Sequence, residues 1–306
     1  MTDGIDLVRL IQEFGSEDKC RAFLEALRWP EGIVCPRGCK GKVSRIASRN
    51  QFECASCRYQ FSATAGTVFN DSHLPLWKWF LAVYMMVESK KGISANQLKR
   101  MLGVSYKTAW FLCHRIRQAM IAANGGDTKL GGTVEMDDTT VGGKARKWRP
   151  IPEKITVVGV VERGGRLRLT VVPNLTSVTL KGAVTKFVGK DIQLIITDEF
   201  AAYVNAIGPT YKHRFKRIKH KETYARMDPL YGNINTNSIE NAFSLLKRGI
   251  FGSWHHISAK HLQAYLDEMS YRFSERENPY LFSDTLSHLL DADPITFRKL
   301  TAEKVA

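Results

Sequence analysis

The chain of 306 residues has no long apolar run. Its longest, Leu76 to Val87, contains Lys78 and falls short of the roughly 18 residues a spanning helix needs, which excludes membrane insertion. The first residues, Met1-Thr2-Asp3-Gly4-Ile5-Asp6, lack the basic start and apolar stretch of a secretory signal. A cytoplasmic, nucleoid-associated chain is expected. No heptad pattern marks a coiled coil. Acidic residues are scarce beside basic ones: 30 Asp and Glu against 45 Lys and Arg leave a net charge of +15. An excess of that size points to a polyanion, most commonly nucleic acid. With 44% hydrophobic and 25% charged residues, the chain reads as an ordinary globular protein of about two domains, not as a disordered one.

Acids are locally absent as well. From Ser89 to Met120 there are Lys90, Lys91, Lys99, Arg100, Lys107, Arg115 and Arg117, and no Asp or Glu. A second cluster sets Lys212, Arg214, Lys216, Arg217, Lys219, Lys221 and Arg226 against Glu222 alone. A third is Lys144, Arg146, Lys147 and Arg149. One such run is ordinarily a solvated face. Three runs in three expected elements favour nucleic acid as partner.

Cysteine is sparse too, and four of the six fall into two pairs, Cys35-Pro-Arg-Gly-Cys39 and Cys54-Ala-Ser-Cys57. Two short knuckles presenting two thiolates each suit a tetrahedral zinc ion, with Val43 to Ile46 and Gln51 to Glu53 as hairpin arms between them. Four thiolate ligands make a closed, structural site. Disulfides are the competing reading, disfavoured in a cytosolic chain. Cys20 and Cys113 lie on apolar helix faces and read as buried small hydrophobes.

Past the cysteines, Leu74 to Ser89 reads as a core helix with Pro75 in its first turn. Ser94 with Gln97 forms a capping box for a short helix ending near Leu102. Gly103 then supplies a turn, and Ser105 caps a second helix running to about Met120. Ala109, Leu112, Cys113, Ile116 and Met120 keep the spacing of a buried stripe. The other face carries Tyr106 and the expected DNA contacts Lys107, Trp110, His114, Arg115 and Arg117. A short helix, a Gly turn and a basic second helix meet the needs of a groove-reading helix-turn-helix. A helical hairpin with a basic exterior would look similar.

Ala122-Ala-Asn-Gly-Gly-Asp127 marks a domain boundary, beyond which strands take over. Thr133 to Val141 alternates, with Val134 and Met136 facing one way and Glu135 and Asp137 the other. Ile155 to Val161 and Leu167 to Val172 flank a Gly164-Gly165 hairpin signal, Thr176 to Val188 is a helix, and Ile192 to Thr197 is a buried strand running into Asp198. Three strands, a helix and a strand is an order that resembles the ribonuclease-H-like fold, whose first and fourth strands are neighbours. Asp137 and Asp198 would then meet. Asp is depleted in strands, so both positions invite a functional reading, surface carboxylates being the alternative.

In Asn237-Ser-Ile-Glu-Asn-Ala-Phe-Ser-Leu-Leu-Lys-Arg248, Ile239, Phe243 and Leu246 form a buried stripe. Glu240, Ser244 and Lys247 share another face, with Asn237 one turn before Glu240. Asn237 and Glu240 could equally be a capping box. Three acids suit phosphodiester chemistry, in which two divalent ions roughly 4 Å apart serve the attacking and leaving oxygens. Hard Mg²⁺ prefers carboxylate oxygens. Asp137 would bridge the ions, Asp198 would complete one, and Glu240 or Asn237 the other, with Lys247 holding a phosphate beside them. Hydrolysis and strand transfer are both open to such a site.

Several segments together resemble one family: Arg28-Trp-Pro-Glu-Gly, Cys57-Arg-Tyr-Gln-Phe-Ser-Ala-Thr-Ala-Gly-Thr-Val-Phe69, Lys91-Gly-Ile-Ser-Ala, Thr108-Ala-Trp, Val134-Glu-Met-Asp-Asp-Thr-Thr-Val-Gly-Gly143, Thr236-Asn-Ser-Ile-Glu240 and Leu246-Lys-Arg-Gly249. From about Cys20 to Arg272 the chain is similar to the bacterial insertion-sequence transposases that join a zinc ribbon and helix-turn-helix to a DDE domain. The resemblance implies binding of terminal inverted repeats, metal-dependent strand cleavage and strand transfer with Mg²⁺ or Mn²⁺, structural Zn²⁺, and at least a dimer on DNA. It places the first acid on Asp137, the second on Asp198 and the third on Glu240 or Asn237, with Lys247 as the basic residue that follows and Arg248 beside it as a DNA contact. Asp138 and Thr140 stand where Glu and Tyr are more usual. The expected organisation is a helical segment (1–30), zinc ribbon (31–70), helix-turn-helix region (71–124), an α/β ribonuclease-H-like domain with a mixed sheet flanked by helices (128–276), and a tail (277–306). A DNA-binding regulator without catalysis and a nuclease that never joins are the other readings.

Overall fold

A computed structural model describes residues 4–124, 128–142, 154–218, 225–255 and 257–302. The basic loop of Lys144, Arg146, Lys147 and Arg149 lies outside the described residues, as do Lys219, Lys221 and Glu222. The chain divides into two units, Met1–Ala123 with Glu277–Ala306, and Asn124–Arg276.

The first unit opens with helices α1 (Leu7–Phe14) and α2 (Glu17–Arg28), whose first turns are capped by the side chains of Asp6 and Ser16. A three-stranded antiparallel sheet follows, β1 (Val43–Ile46), β2 (Gln51–Cys54) and β3 (Gln60–Phe61). Trp29 packs edge-on against Phe52 and Phe61 beneath it. Helix α3 (Leu76–Val87) begins after Pro75, and Glu17 of α2 accepts its first amide, Leu76 N, at 2.7 Å. Helix α4 (Ala95–Leu102) starts at Ser94, whose hydroxyl accepts from Gln97 N, and stops at Gly103 in the left-handed region that glycine enters without strain. Helix α5 (Tyr106–Asn124) starts at Ser105, whose hydroxyl accepts from Thr108 N. The expected helix, turn and helix therefore stand where the sequence put them.

The second unit is built on a sheet of β4 (Thr133–Val141), β5 (Ile155–Glu162), β6 (Leu167–Val172), β7 (Leu194–Thr197) and β8 (Phe215–Arg217), in the order β6-β5-β4-β7-β8. The first three strands are antiparallel, while β7 and β8 join parallel to β4. This is the ribonuclease-H-like order, with first and fourth strands adjacent. Helices α6 (Ser177–Phe187) and α7 (Ala201–Tyr211) cover one face, burying Val134, Met136, Val158, Val160 and Ile195. A two-stranded hairpin, β9 (Arg226–Asp228) and β10 (Gly232–Ile234), leads into α8 (Asn237–Gly249), a π-helical turn at Ile250–Trp254, and α9 (Ala259–Ser274). Helices α8 and α9 cover the other face, over Val157, Val161, Leu167 and Leu169. Period-two alternation in β4 and β5 thus feeds two separate cores.

The stretch read as a tail returns to the first unit as α10 (Leu281–Asp291) and α11 (Phe297–Thr301). Phe282 of α10 joins an aromatic cluster with Phe14, Phe80 and Tyr84. No helix among the described residues is long and apolar enough to cross a membrane.

Candidate functional site

Strand β4 pairs with β7 in parallel, Thr133 to Leu194, Val134 to Ile195 and Glu135 to Ile196. Two residues further along the same register, Asp137 is level with Asp198, just past the end of β7. The two are therefore brought together by backbone pairing. Asp137 is half-buried, and burial pushes its carboxyl up to about 7. The Asp138 amide, donating to Asp137 Oδ1 at 2.8 Å, opposes that rise, while the charges of Asp198, Asp138 and Glu240 add to it. Carboxylates that crowd one another in this way favour a cation among them. Asp198 also accepts from Phe200 N at 3.1 Å, which fixes the turn into α7.

Asp138 points to the opposite face, where it accepts a hydrogen bond from Tyr203 Oη at 3.1 Å. Burial raises its carboxyl above the usual range, and the tyrosine hydroxyl counters this.

Glu240 and Lys247 lie exposed along α8, as does Asn237 at its start. Glu240 accepts from Thr236 Oγ1 at 2.8 Å. The Asn237–Glu240 capping box considered above does not form: Thr236 occupies the cap position, its side chain accepts no backbone amide of the first turn, and Asn237 is already helical. The helix is capped from outside instead. Glu135, fully buried in β4, accepts from Ser238 N at 2.7 Å, Ser238 Oγ at 3.0 Å and Ile239 N at 3.1 Å. Arg163 pairs with the same carboxylate at 2.7 Å. Sequence reasoning placed Glu135 on the face of Asp137 but gave it no role. Gly159 was also passed over. It stands across the ladder from Asp137 and lies under Ile239 and Phe243 of α8. A glycine within a run of valines was its available signal.

Three of the expected DNA contacts are corrected. His114, Arg115 and Arg117 are buried, because the α5 stripe toward the core is wider than the apolar spacing alone indicates. The Arg115 guanidinium donates to the carbonyls of Val68 and Asn70 and lies over the Trp79 and Phe111 rings. Its work is internal. Trp110 is half-buried beside Phe297 of α11, and that same ring sits under the exposed Lys107 ammonium, 4.4 Å away. Lys99, Arg100, Tyr106 and Lys107 remain exposed around the turn between α4 and α5. Arg248 is exposed and folds back onto Ser244 of its own helix.

The Cys35, Cys39, Cys54 and Cys57 sulfurs all lie within 4.8 Å of one another. All four are free thiols, so the disulfide reading falls away. Gly38, left-handed at φ 76°, closes the longer first knuckle, its amide donating to Cys35 O. Soft thiol donors at this spacing fit zinc. Among the described residues no other set of ligating side chains is drawn so tight; the acids around Asp137 are electrostatic neighbours. Cys20 and Cys113 are buried, as expected.

Two family models match the chain. A transposase zinc-ribbon domain covers residues 15–60, and an ISXO2-like transposase domain covers 129–274. Both matched domains are transposase domains, and the chain is similar to the insertion-sequence transposases over them. A curated relative, an uncharacterized protein in the transposable element ISH50 of Halobacterium salinarum, is 34% identical over 131 residues, 42% of this chain and 43% of the relative. The chain thus spans under half the length of that relative. Among solved structures, the Mos1 strand transfer complex aligns at 9% identity and a TM-score of 0.32, covering 69% of this chain and 75% of that one. The Mos1 mariner paired end complex with Mn aligns at 10% identity and a TM-score of 0.27, over the same shares. The ribonuclease-H-like assignment rests on the transposase domain's own strand order.

Proposed function

We propose that this chain is a transposase that binds the terminal inverted repeats of an insertion sequence and catalyses metal-dependent DNA strand cleavage and strand transfer. The observation that supports the reading is the parallel β4–β7 pairing, which runs Asp137 and Asp198 toward the same end of the sheet, where the charges of Asp198 and Glu240 both reach Asp137. Asp137, Asp198 and Glu240, with Asn237 as the alternative third ligand, would hold Mg²⁺ or Mn²⁺. The donor set fits, since hard cations take carboxylate oxygens and crowded acids gain from one. Bound there, the ions would supply an activated attacking oxygen and a stabilised leaving oxygen.

The chain's own residues divide the remaining work. Lys247, two turns along α8 from Glu240, would hold a phosphate of the cut strand. Lys99 and Arg100 at the end of α4, with Tyr106 and Lys107 at the start of α5, form an exposed basic surface, and the start of the second helix is the part of a helix-turn-helix that meets base edges. The zinc ribbon would hold the aromatic base of Trp29, Phe52 and Phe61 in one shape. Joining two DNA ends calls for at least two copies on DNA.

The test uses end-labelled DNA from either side of the chain's own gene, with Mg²⁺ or Mn²⁺. Discrete breaks at a pair of inverted repeats, with joined product, are expected; Asp198→Asn should bind the repeats and break nothing. Binding without breakage under either metal would make the protein a DNA-binding regulator. Nicks without joined product would make it a nuclease.

A further inference from the structure

We propose that Glu135, held by Arg163, is a positioning residue that sets the third metal ligand of α8 against Asp137. The inference rests on the reading of Asp137, Asp198 and the first turn of α8 as the metal site.

A helix normally satisfies its first amides with a Ser, Thr, Asp or Asn at its own start. Helix α8 does not. Thr236 makes no cap bond, and the amides of Ser238 and Ile239 are instead bound by a carboxylate from β4, more than a hundred residues earlier. That carboxylate belongs to the residue two before Asp137 on the same face of the same strand. The helix start and the first acid are thereby referred to one rigid segment.

Arg163 extends the arrangement. It lies just after β5, with Nε on Glu135 at 2.7 Å, Nη1 on Asn233 O at 2.7 Å and Nη2 on Asn235 O at 3.0 Å. One ion pair, its carboxylate fully buried and its guanidinium half-buried, therefore ties together β4, the β5–β6 turn, β10 and the entry to α8. A buried ion pair is a poor way to gain stability, since an apolar pair of similar volume usually does as well. It is a good way to fix position, because each donor has a single place to go. An anion is also favoured at the positive end of a helix. Glu240 and Asn237, both within the first turn, inherit that position.

Mn²⁺ titration of the zinc-loaded full-length chain, with bound ion counted by electron paramagnetic resonance and no DNA present, tests the idea. Glu135→Gln should raise the half-saturating Mn²⁺ concentration by about tenfold or more, the usual effect of removing an outer-shell partner. Arg163→Lys keeps the charge but loses the carbonyl links, so it should shift the titration the same way. A Gln263→Ala control separates position from general weakening. Gln263 binds the edge of β6 through Val171 N and Leu169 O, so its loss should lower the melting temperature and leave Mn²⁺ binding unchanged. Wild-type Mn²⁺ affinity in folded Glu135→Gln or Arg163→Lys overturns the proposal. Asp198→Asn binding Mn²⁺ as wild type does would place the ion elsewhere, and the metal-site reading would fail with it.

Discussion

Gly159 faces Asp137 directly across the β4–β5 ladder, and a methyl group on it would come within 2.7 Å of Ile239 Cδ1 and 2.8 Å of Phe243 Cζ. The missing side chain lets α8 rest on the sheet at the level of the first acid. Both neighbours are buried, so neither can simply swing away. Gly159→Ala should therefore lift α8, at a cost of about 1–3 kcal/mol in stability for overpacking. Cleavage should fall more than folding does, with repeat binding kept. Adding Ile239→Val should restore part of both, and urea melts beside cleavage assays would show it. Unchanged cleavage in Gly159→Ala would mean that the closeness of α8 is irrelevant to the site.

The crowding at Asp137 has a signature of its own in pH. The free carboxyl ionises at 3.8, and in the fold this rises to about 7, chiefly through burial. Between those values the folded state holds the extra proton, so metal-free stability falls as pH rises through the window and levels off above it. Asp137→Asn removes the penalty. In buffer free of divalent ions other than the bound zinc, the variant should be more stable than wild type at pH 8 by about 1–2 kcal/mol, a figure reduced for a half-exposed group. The two should converge near pH 4, and Mg²⁺ at pH 8 should stabilise wild type alone. Equal stability at pH 8 would show that the acids are not under strain.

Much of this was legible in the sequence, for physical reasons. Period-two alternation marked β4, and the Gly164-Gly165 turn between apolar runs marked β5 and β6, nearly to the residue; Ser94, Gly103 and Ser105 announced helix ends because capping chemistry is local. The adjacency of Asp137 and Asp198 followed from strand order. What stayed hidden is tertiary. Glu135 caps a helix remote in sequence, which no local spacing reveals. Arg115 and Arg117 read as solvent-facing because charge implies exposure by default, yet backbone carbonyls of Val68 and Asn70 took up Arg115. The last thirty residues showed no pattern strong enough to read, and α10 proved to carry Phe282 into the core.

The zinc reading predicts one tightly held zinc per chain. Cys54 is fully buried and shares a β1–β2 pair with Val43, so Cys54→Ser should lose the zinc and the hairpin with it. Structural zinc supplies folding energy outright, so zinc content and the melting transition should drop together. Zinc added back should restore wild type after chelation but not the variant. Retention of zinc by Cys54→Ser would point to a site made without it.

The buried and exposed basic residues of α4 and α5 should separate cleanly. Arg115→Ala strands the carbonyls of Val68 and Asn70 and leaves a gap beside Trp79, so it should lower stability by about 2–4 kcal/mol, the range for losing buried hydrogen bonds together with packing. Molecules that remain folded should bind repeat DNA with wild-type salt dependence. Arg100→Ala and Lys107→Ala, at exposed positions, should leave melting nearly unchanged. Each should weaken binding and cut the slope of log affinity against log salt by about 1, the value for one lost phosphate contact. Binding measured at several salt concentrations beside thermal melts decides the matter. A normal slope in both exposed variants would move the DNA surface away from the α4–α5 turn, and a reduced slope in folded Arg115→Ala would mean that this guanidinium leaves its carbonyl partners when DNA binds.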